Sequence, residues 1–266
     1  MQKPANMKDW VNKLFIERSD LFLKLMNQRW PKTEEPVNGM VKVLDGFGIK
    51  SGRLLDLCCG NGRISVFMAK KGFRAVGVDI SKAFLEDGKR KAKEHGVSDR
   101  VTFVEGDVRK LKDILKAPQP FDVVVNAWTS IGFFSQDDDL KIFKQARSLS
   151  REGAILFVIE TMHTEYLSIR FYPTSYAEID GLLMLEDRKY DPVSANAKTS
   201  WIFYKECGQN LEFIDKVEIE HHIYSLSELS SLLKRAGWET VASYGSISTL
   251  QPMSPLTSLN IAAKAT

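Results

Sequence analysis

The chain has 266 residues, which favours one domain with an insertion or two modest domains. Hydrophobic residues make up 44% and charged residues 27%, an ordinary globular balance, and a net charge of +3 is too small to argue for nucleic acid. No apolar run reaches the length of a membrane span, and the start Met1-Gln2-Lys3-Pro4-Ala5-Asn6 lacks the apolar core of a secretion signal, so a cytoplasmic protein is expected.

Trp10, Leu14, Phe15, Phe22 and Leu25 recur at helical spacing and predict a helix from Met7 to Leu25. It ends before Trp30-Pro31, and a second helix from Pro36 to Phe47 is closed by Gly46 and Gly48. Residues 1–50 thus read as a helical cap. Trp10, Phe22, Arg29 and Trp30 are placed either to close over a site or to pack helices, and packing is the preferred reading for Trp10 and Phe22.

From Arg53 strands and helices alternate. Strands are expected at Leu54 to Leu57, Arg74 to Asp79, Val101 to Glu105, Phe121 to Asn126 and Ala154 to Glu160. Helices are expected from Arg63 to Lys71, after a Ser81 N-cap, and from Asp139 to Ser150. Continuous apolar runs such as Val123-Val124-Val125 imply burial on both faces, hence a parallel sheet covered by helices. The run Lys89-Arg90-Lys91-Ala92-Lys93 reads as a solvated helix face.

Beyond Glu160 the period changes. Leu182 to Tyr190 and Thr199 to Lys205 flank a turn-rich connection and predict an antiparallel hairpin, extended by a strand from Leu211 to Tyr224. A helix from Ser227 to Ala236 and strands near Thr240 to Tyr244 and Ser258 to Lys264 close the chain. Residues 51–161 and 225–266 therefore form an α/β unit, and 162–224 an antiparallel β-insert that covers a substrate or forms an oligomer interface.

The turn Cys58-Cys59-Gly60-Asn61-Gly62 lets backbone approach a ligand at a helix N-terminus. Asp79 ends strand two about 20 residues later, where a carboxylate can accept from both hydroxyls of a ribose. In Gly106-Asp107-Val108 the carboxylate can accept from an adenine amine while the Val108 N–H donates to a ring nitrogen. Asp56 can meet an ammonium. An adenosine with an amino-acid tail, S-adenosylmethionine, satisfies all of these; a dinucleotide oxidoreductase is disfavoured by the Asp107 element.

On these residues the chain resembles the class I S-adenosylmethionine-dependent methyltransferases. Leu54 to Gly62 resembles their first motif, Val76 to Ser81 the second, Gly106-Asp107-Val108 the third and Phe121 to Asn126 the fourth. Asn126 to Phe134 and Ile223 to Leu229 are similar to a subgroup with a β-insert after strand five. The resemblance implies a Rossmann-like seven-stranded sheet whose last strand is antiparallel, with Ile80, Asn126 and Trp128 joining the cofactor residues. One departure is Cys58, where the family has a glycine; its Cβ restricts φ.

The candidate bases are Glu160, His163 and His222; His221 shares a strand face with core residues. Trp30, Phe133, Arg170 and Tyr172 are candidate substrate contacts, the Phe133 ring suited to a sulfonium or an amine and Arg170 and Tyr172 to an acidic or aromatic substrate. The three cysteines have no zinc or C-x-x-C spacing, so no metal site is expected. The expected activity is methylation of nitrogen or oxygen on a small molecule, by a monomer or homodimer. An RNA or protein methyltransferase is the alternative, disfavoured by the lack of an Asn-Pro-Pro-Tyr-type element, a Pro-Cys nucleophile or a basic domain. A non-catalytic binder of the cofactor is a further one.

Overall fold

The hydrophobic alternation of the central strands sorts their side chains onto two buried faces. Leu55, Leu57 and Val124 join one core cluster, while Leu54, Val123 and Val125 join the other. Each buried Val or Leu contributes about 1.5–3 kcal/mol. The computed structural model describes residues 8–115, 119–128 and 130–266. Met7, the expected start of the first helix, and Thr129 lie outside the described residues.

In chain order the strands are β1 (Arg53–Leu57), β2 (Arg74–Asp79), β3 (Val101–Glu105), β4 (Phe121–Ala127), β5 (Ser150–Thr161), β6 (Thr174–Ile179), β7 (Leu182–Asp191), β8 (Asn196–Cys207), β9 (Asn210–His222), β10 (Trp238–Ser246), β11 (Gln251–Pro252) and β12 (Leu259–Ala265). The helices are α1 (Asp9–Asn12), α2 (Ser19–Arg29), α3 (Glu34–Gly46), α4 (Arg63–Lys70), α5 (Lys82–Glu94), α6 (Leu111–Ile114), α7 (Gln136–Ser148), α8 (Thr164–Ile169) and α9 (Leu226–Arg235).

The main sheet has the order β11-β10-β12-β5-β4-β1-β2-β3. β1 to β5 pair in parallel, and β12 is antiparallel to both of its neighbours. The expected α/β class and antiparallel last strand are borne out, and the two-residue edge strand β11 makes eight strands instead of seven. Register aligns Leu57 with both Val78 and Asn126, so the turns after β1, β2 and β4 leave the sheet at one level.

β6 to β9 form a separate antiparallel sheet in sequence order. Its edge strand β6 was not foreseen, because Thr174 to Ile179 alternates only weakly and is half exposed. One face of this sheet is covered by the N-terminal helices: Val217 and Ile219 pack with Trp10, Val11 and Leu14, and Ile179, Leu182, Met184 and Phe203 with Leu21.

The single helix expected from Met7 to Leu25 is broken. A π turn over Lys13–Glu17 follows α1, and Arg18 leaves helical geometry at φ −113° and ψ 36°. The wider turn brings Trp10, Val11, Leu14 and Phe15 together on the buried side. Lys91 also departs from expectation. Its ammonium is buried, 2.9 Å from Asp87, hydrogen bonded to Asn27 and 4.1 Å over the Trp30 ring. Ser81 holds the N-cap position of α5 without a side-chain cap bond. Its backbone N–H instead donates to Asp79 at 2.9 Å.

Candidate functional site

The ends of β1 to β4 open into one cavity. Asp56, Cys58, Cys59, Gly60, Asn61, Asp79, Ile80, Asp107, Val108, Trp128 and Phe133 all line it. The glycine turn is shaped by contact. Gly60 has φ +55°, and a Cβ there would meet the Met26 sulfur at 2.7 Å; Gly62 has φ +72°, and a Cβ would meet the Phe103 ring at 2.4 Å. Gly62 thus supports the turn from behind and is not on the wall. Asn126 is also behind it, donating to Ser130 Oγ at 2.8 Å beside a smaller cavity.

Asp79 is buried at the centre. Its Oδ2 accepts from the Gly60 N–H at 2.8 Å and its Oδ1 from the Ser81 N–H at 2.9 Å. Burial pushes its carboxyl up to about 6, and the hydrogen bonds to Ser81, Gly60 and Ile80 oppose that rise. Asp56 is likewise lifted by burial to about 6, opposed by Ser65 and by the charge of Arg63. Both of its hydrogen bonds, from the Ser65 N–H and Oγ, fall on Oδ2.

Asp107 is less available than its place in the sequence implies. Its carboxylate accepts from the Arg109 N–H at 2.9 Å and from the Arg109 guanidinium at 2.7–3.0 Å. These bonds hold its carboxyl below the usual range against an opposing effect of burial. Arg109 also lies 4.3 Å over Phe134, another wall residue. Asn61 donates to Asn27 and Asp87, while its buried Oδ1 has no partner among the described residues.

Three non-glycine residues at the strand ends hold left-handed backbone: Cys58 after β1, Trp128 after β4 and Glu160 in β5, with φ of 54°, 55° and 56°. Such conformations cost about 1 kcal/mol or more each and concentrate at functional sites. Cys58 adopts the glycine-like geometry despite its Cβ. Burial pushes its thiol well up, so it is a neutral wall residue.

Of the roof, sequence reasoning offered Phe22 only as the less favoured reading and missed Phe15 and Phe84. Phe15 and Phe22 come from the N-terminal segment and Phe84 from α5, and all three line the cavity. Phe22 stacks on Trp128 with centroids 5.2 Å apart, so it is a site residue as well as a packing one. The Arg29 guanidinium lies 4.5 Å over Trp128, which gives that ring a cation from the protein itself. No periodicity signals such a roof, because the π turn sets which rings face inward. Arg63 was also missed, although it directly follows Gly62.

A second, more open cavity adjoins the first, and Trp128 lines both. Its walls include Arg29, Glu160, His163, Tyr166, Arg170, Tyr172 and Arg188. Glu160 pairs with Arg63 across the seam between the cavities. His163 is fully buried, with Nε2 2.7 Å from the Thr257 carbonyl and Nδ1 3.0 Å from Glu165. The Thr257 carbonyl can only accept, so Nε2 donates to it, and Nδ1 is turned to Glu165 and not to the cavity.

Besides Gly62 and Asn126, two candidates fall outside both cavities. Trp30 turns away to pack against Phe67, His95 and Lys91. His222 lies 2.9 Å from Glu228 beside Gln136, since its strand face points to α9 and away from the sheet edge. Among the described residues no cluster of three or more His, Cys, Asp or Glu could hold a metal ion, and no helix is long and apolar enough to cross a membrane.

Residues 54–153 match the methyltransferase domain family. The chain is 26% identical over 215 residues to the Bacillus subtilis (strain 168) protein YqeM, which carries methyltransferase in its name; the match covers 77% of this chain and 80% of that one. Its fold is similar to a S-adenosylmethionine-dependent methyltransferase from Clostridium acetobutylicum, with TM-score 0.74, 16% identity and 96% of each chain covered. It is also similar to CalS10 of Micromonospora echinaspora, an amino pentose methyltransferase solved with S-adenosylmethionine bound, at TM-score 0.68 and 14% identity over 88% of this chain and 92% of that one.

Proposed function

We propose that this chain, a class I S-adenosylmethionine-dependent methyltransferase, moves a methyl group to a nitrogen or oxygen of a small molecule by in-line displacement. The observation that carries this reading is the junction of two cavities at Trp128, one ringed by strand-end carboxylates and the other by arginines, tyrosines and Glu160. A small-molecule acceptor agrees with the amino pentose methyltransferase among the structural neighbours.

The residues fit the cofactor. Asp79 has an acceptor lone pair left on each oxygen for the ribose hydroxyls, and Asn61 Oδ1 is a buried acceptor still lacking a donor. Ile80 and Val108 offer apolar surface to the purine, with Asp107 held by Arg109 at its edge. Asp56 and Arg63 supply opposite charges for an amino-acid tail.

S-adenosylmethionine supplies a methyl carbon that is already electrophilic. The protein therefore acts by alignment and exclusion of water, effects that together reach about 7–11 kcal/mol. The roof of Phe15, Phe22 and Phe84 keeps the cofactor cavity dry, and Trp128 sits where the two cavities meet. Arg170 and Tyr172, at the rim of the second cavity, suit an acidic or aromatic acceptor. Glu160 is the carboxylate on that side able to accept a proton from it.

The test is calorimetry with S-adenosylhomocysteine, followed by a screen of amines and alcohols for S-adenosylhomocysteine release. Binding plus turnover of a small acceptor supports the proposal. Binding with turnover only of RNA or protein removes the small-molecule assignment.

A further inference from the structure

Arg63 and Glu160 come from opposite sides of the seam. Arg63 opens α4 directly after the glycine turn, and its side chain lines the cofactor cavity with 7% exposure. Glu160 lines the acceptor cavity with 24% exposure. Their ion pair thus bridges a group facing the cofactor and a group facing the acceptor.

Glu160 also has a second cation within reach. Arg29 lines the acceptor cavity with its guanidinium over Trp128, and the charge of Glu160 acts to stabilise it while burial disfavours it. Glu160 is paired with the guanidinium of the cofactor cavity and shares the acceptor cavity with the other. A buried guanidinium that loses a partner is disfavoured, so the release of Glu160 by Arg63 is favoured when another anion takes its place. The left-handed backbone of Glu160, anchored by its N–H to Asn260 Oδ1 at 2.8 Å, holds the side chain at this junction.

We infer that Arg63 exchanges partners when the cofactor cavity fills: it gives up Glu160 for the α-carboxylate of the cofactor's amino-acid tail, and Glu160 swings to Arg29 and the acceptor cavity. No covalent bond changes in this step. This rests on the cofactor reading above and extends it, because it makes Glu160 available to an acceptor only after the cofactor has bound. Binding is then ordered, cofactor first.

The exchange has an unusual signature. Glu160 competes with the cofactor's carboxylate for Arg63, so removing its charge tightens cofactor binding. Calorimetry compares two probes on the full chain: S-adenosylhomocysteine, and 5′-methylthioadenosine, which lacks the amino-acid tail. Glu160→Gln is expected to bind S-adenosylhomocysteine at least threefold tighter than wild type and 5′-methylthioadenosine equally well. Arg63→Lys is expected to lose at least tenfold for the first probe and less than twofold for the second.

Unchanged or weaker S-adenosylhomocysteine binding by Glu160→Gln overturns the exchange, as does an equal loss of both probes in Arg63→Lys. Should Glu160→Gln fail to fold, the Arg63→Lys comparison of the two probes decides. A wild-type protein that binds neither probe overturns the cofactor reading itself, so the two failures are distinguishable.

Discussion

Replacing Asp79 by alanine separates cofactor binding from folding, because the carboxylate is disfavoured by the fold yet suited to the ligand. Lifting its carboxyl from 3.8 to about 6 corresponds to about 3 kcal/mol. The sign follows from the raised value: the favourable contribution is full below about 4, is lost as pH rises through about 6, and leaves an ionised, destabilising group at pH 7. Asp79→Ala relieves that cost but leaves the Gly60 and Ser81 N–H groups without their acceptor, at about 1–3 kcal/mol each. The two effects oppose each other, so the melting temperature should move by only a few degrees. Ribose contacts have no such offset. Losing two charge-assisted hydrogen bonds, at about 1.5–3 kcal/mol each, lowers affinity by roughly a hundredfold or more. Calorimetry with S-adenosylhomocysteine and thermal unfolding, run on the same preparation at pH 7.5, give both quantities. An affinity within threefold of wild type, with the fold intact, refutes the ribose assignment.

The same carboxylates set the pH response. Asp79 and Asp56 both titrate near 6 and bind as carboxylates, so S-adenosylhomocysteine affinity should be flat above pH 7 and fall about tenfold per group by pH 5; a flat profile down to pH 5 contradicts this. Cys58→Gly removes left-handed strain of about 1 kcal/mol together with some buried contact, so stability should stay within about 1 kcal/mol and affinity within threefold. A tenfold affinity loss in that variant would make the thiol a ligand contact. His163→Ala should lower the melting temperature by roughly 5–10 °C, since it empties a buried site and orphans its partners. His222→Ala, which touches neither cavity, should keep turnover within twofold once an acceptor is found; a hundredfold loss would restore it as a base.

The strand ends were legible because their chemistry is local. An apolar run followed by a small-residue turn fixes where β1 stops, and parallel register then brings Asp56, Asp79 and Asp107 to a common edge. The insert was legible in its long strands, where Leu182 to Tyr190 alternates clearly, and not in β6. What the sequence hid depends on tertiary geometry. The π turn over Lys13–Glu17 decides that Phe15 and Phe22 face the cavity while Trp30, a few residues on, turns to Lys91. Lys91 sits in a basic run that reads as solvated, and only the approach of Asn27 and Trp30 from the cap buries it. Asp107 is clasped by Arg109 two residues later, a pairing that a short helical turn permits but spacing does not announce.

The most direct test is a crystal structure of the protein soaked with S-adenosylhomocysteine. The account expects the ribose hydroxyls within hydrogen-bonding distance of Asp79, the purine between Ile80 and Val108, and the amino-acid tail against Arg63 with Glu160 turned to the acceptor cavity. A nucleoside lodged elsewhere, or clear density with no ribose contact to Asp79, contradicts it.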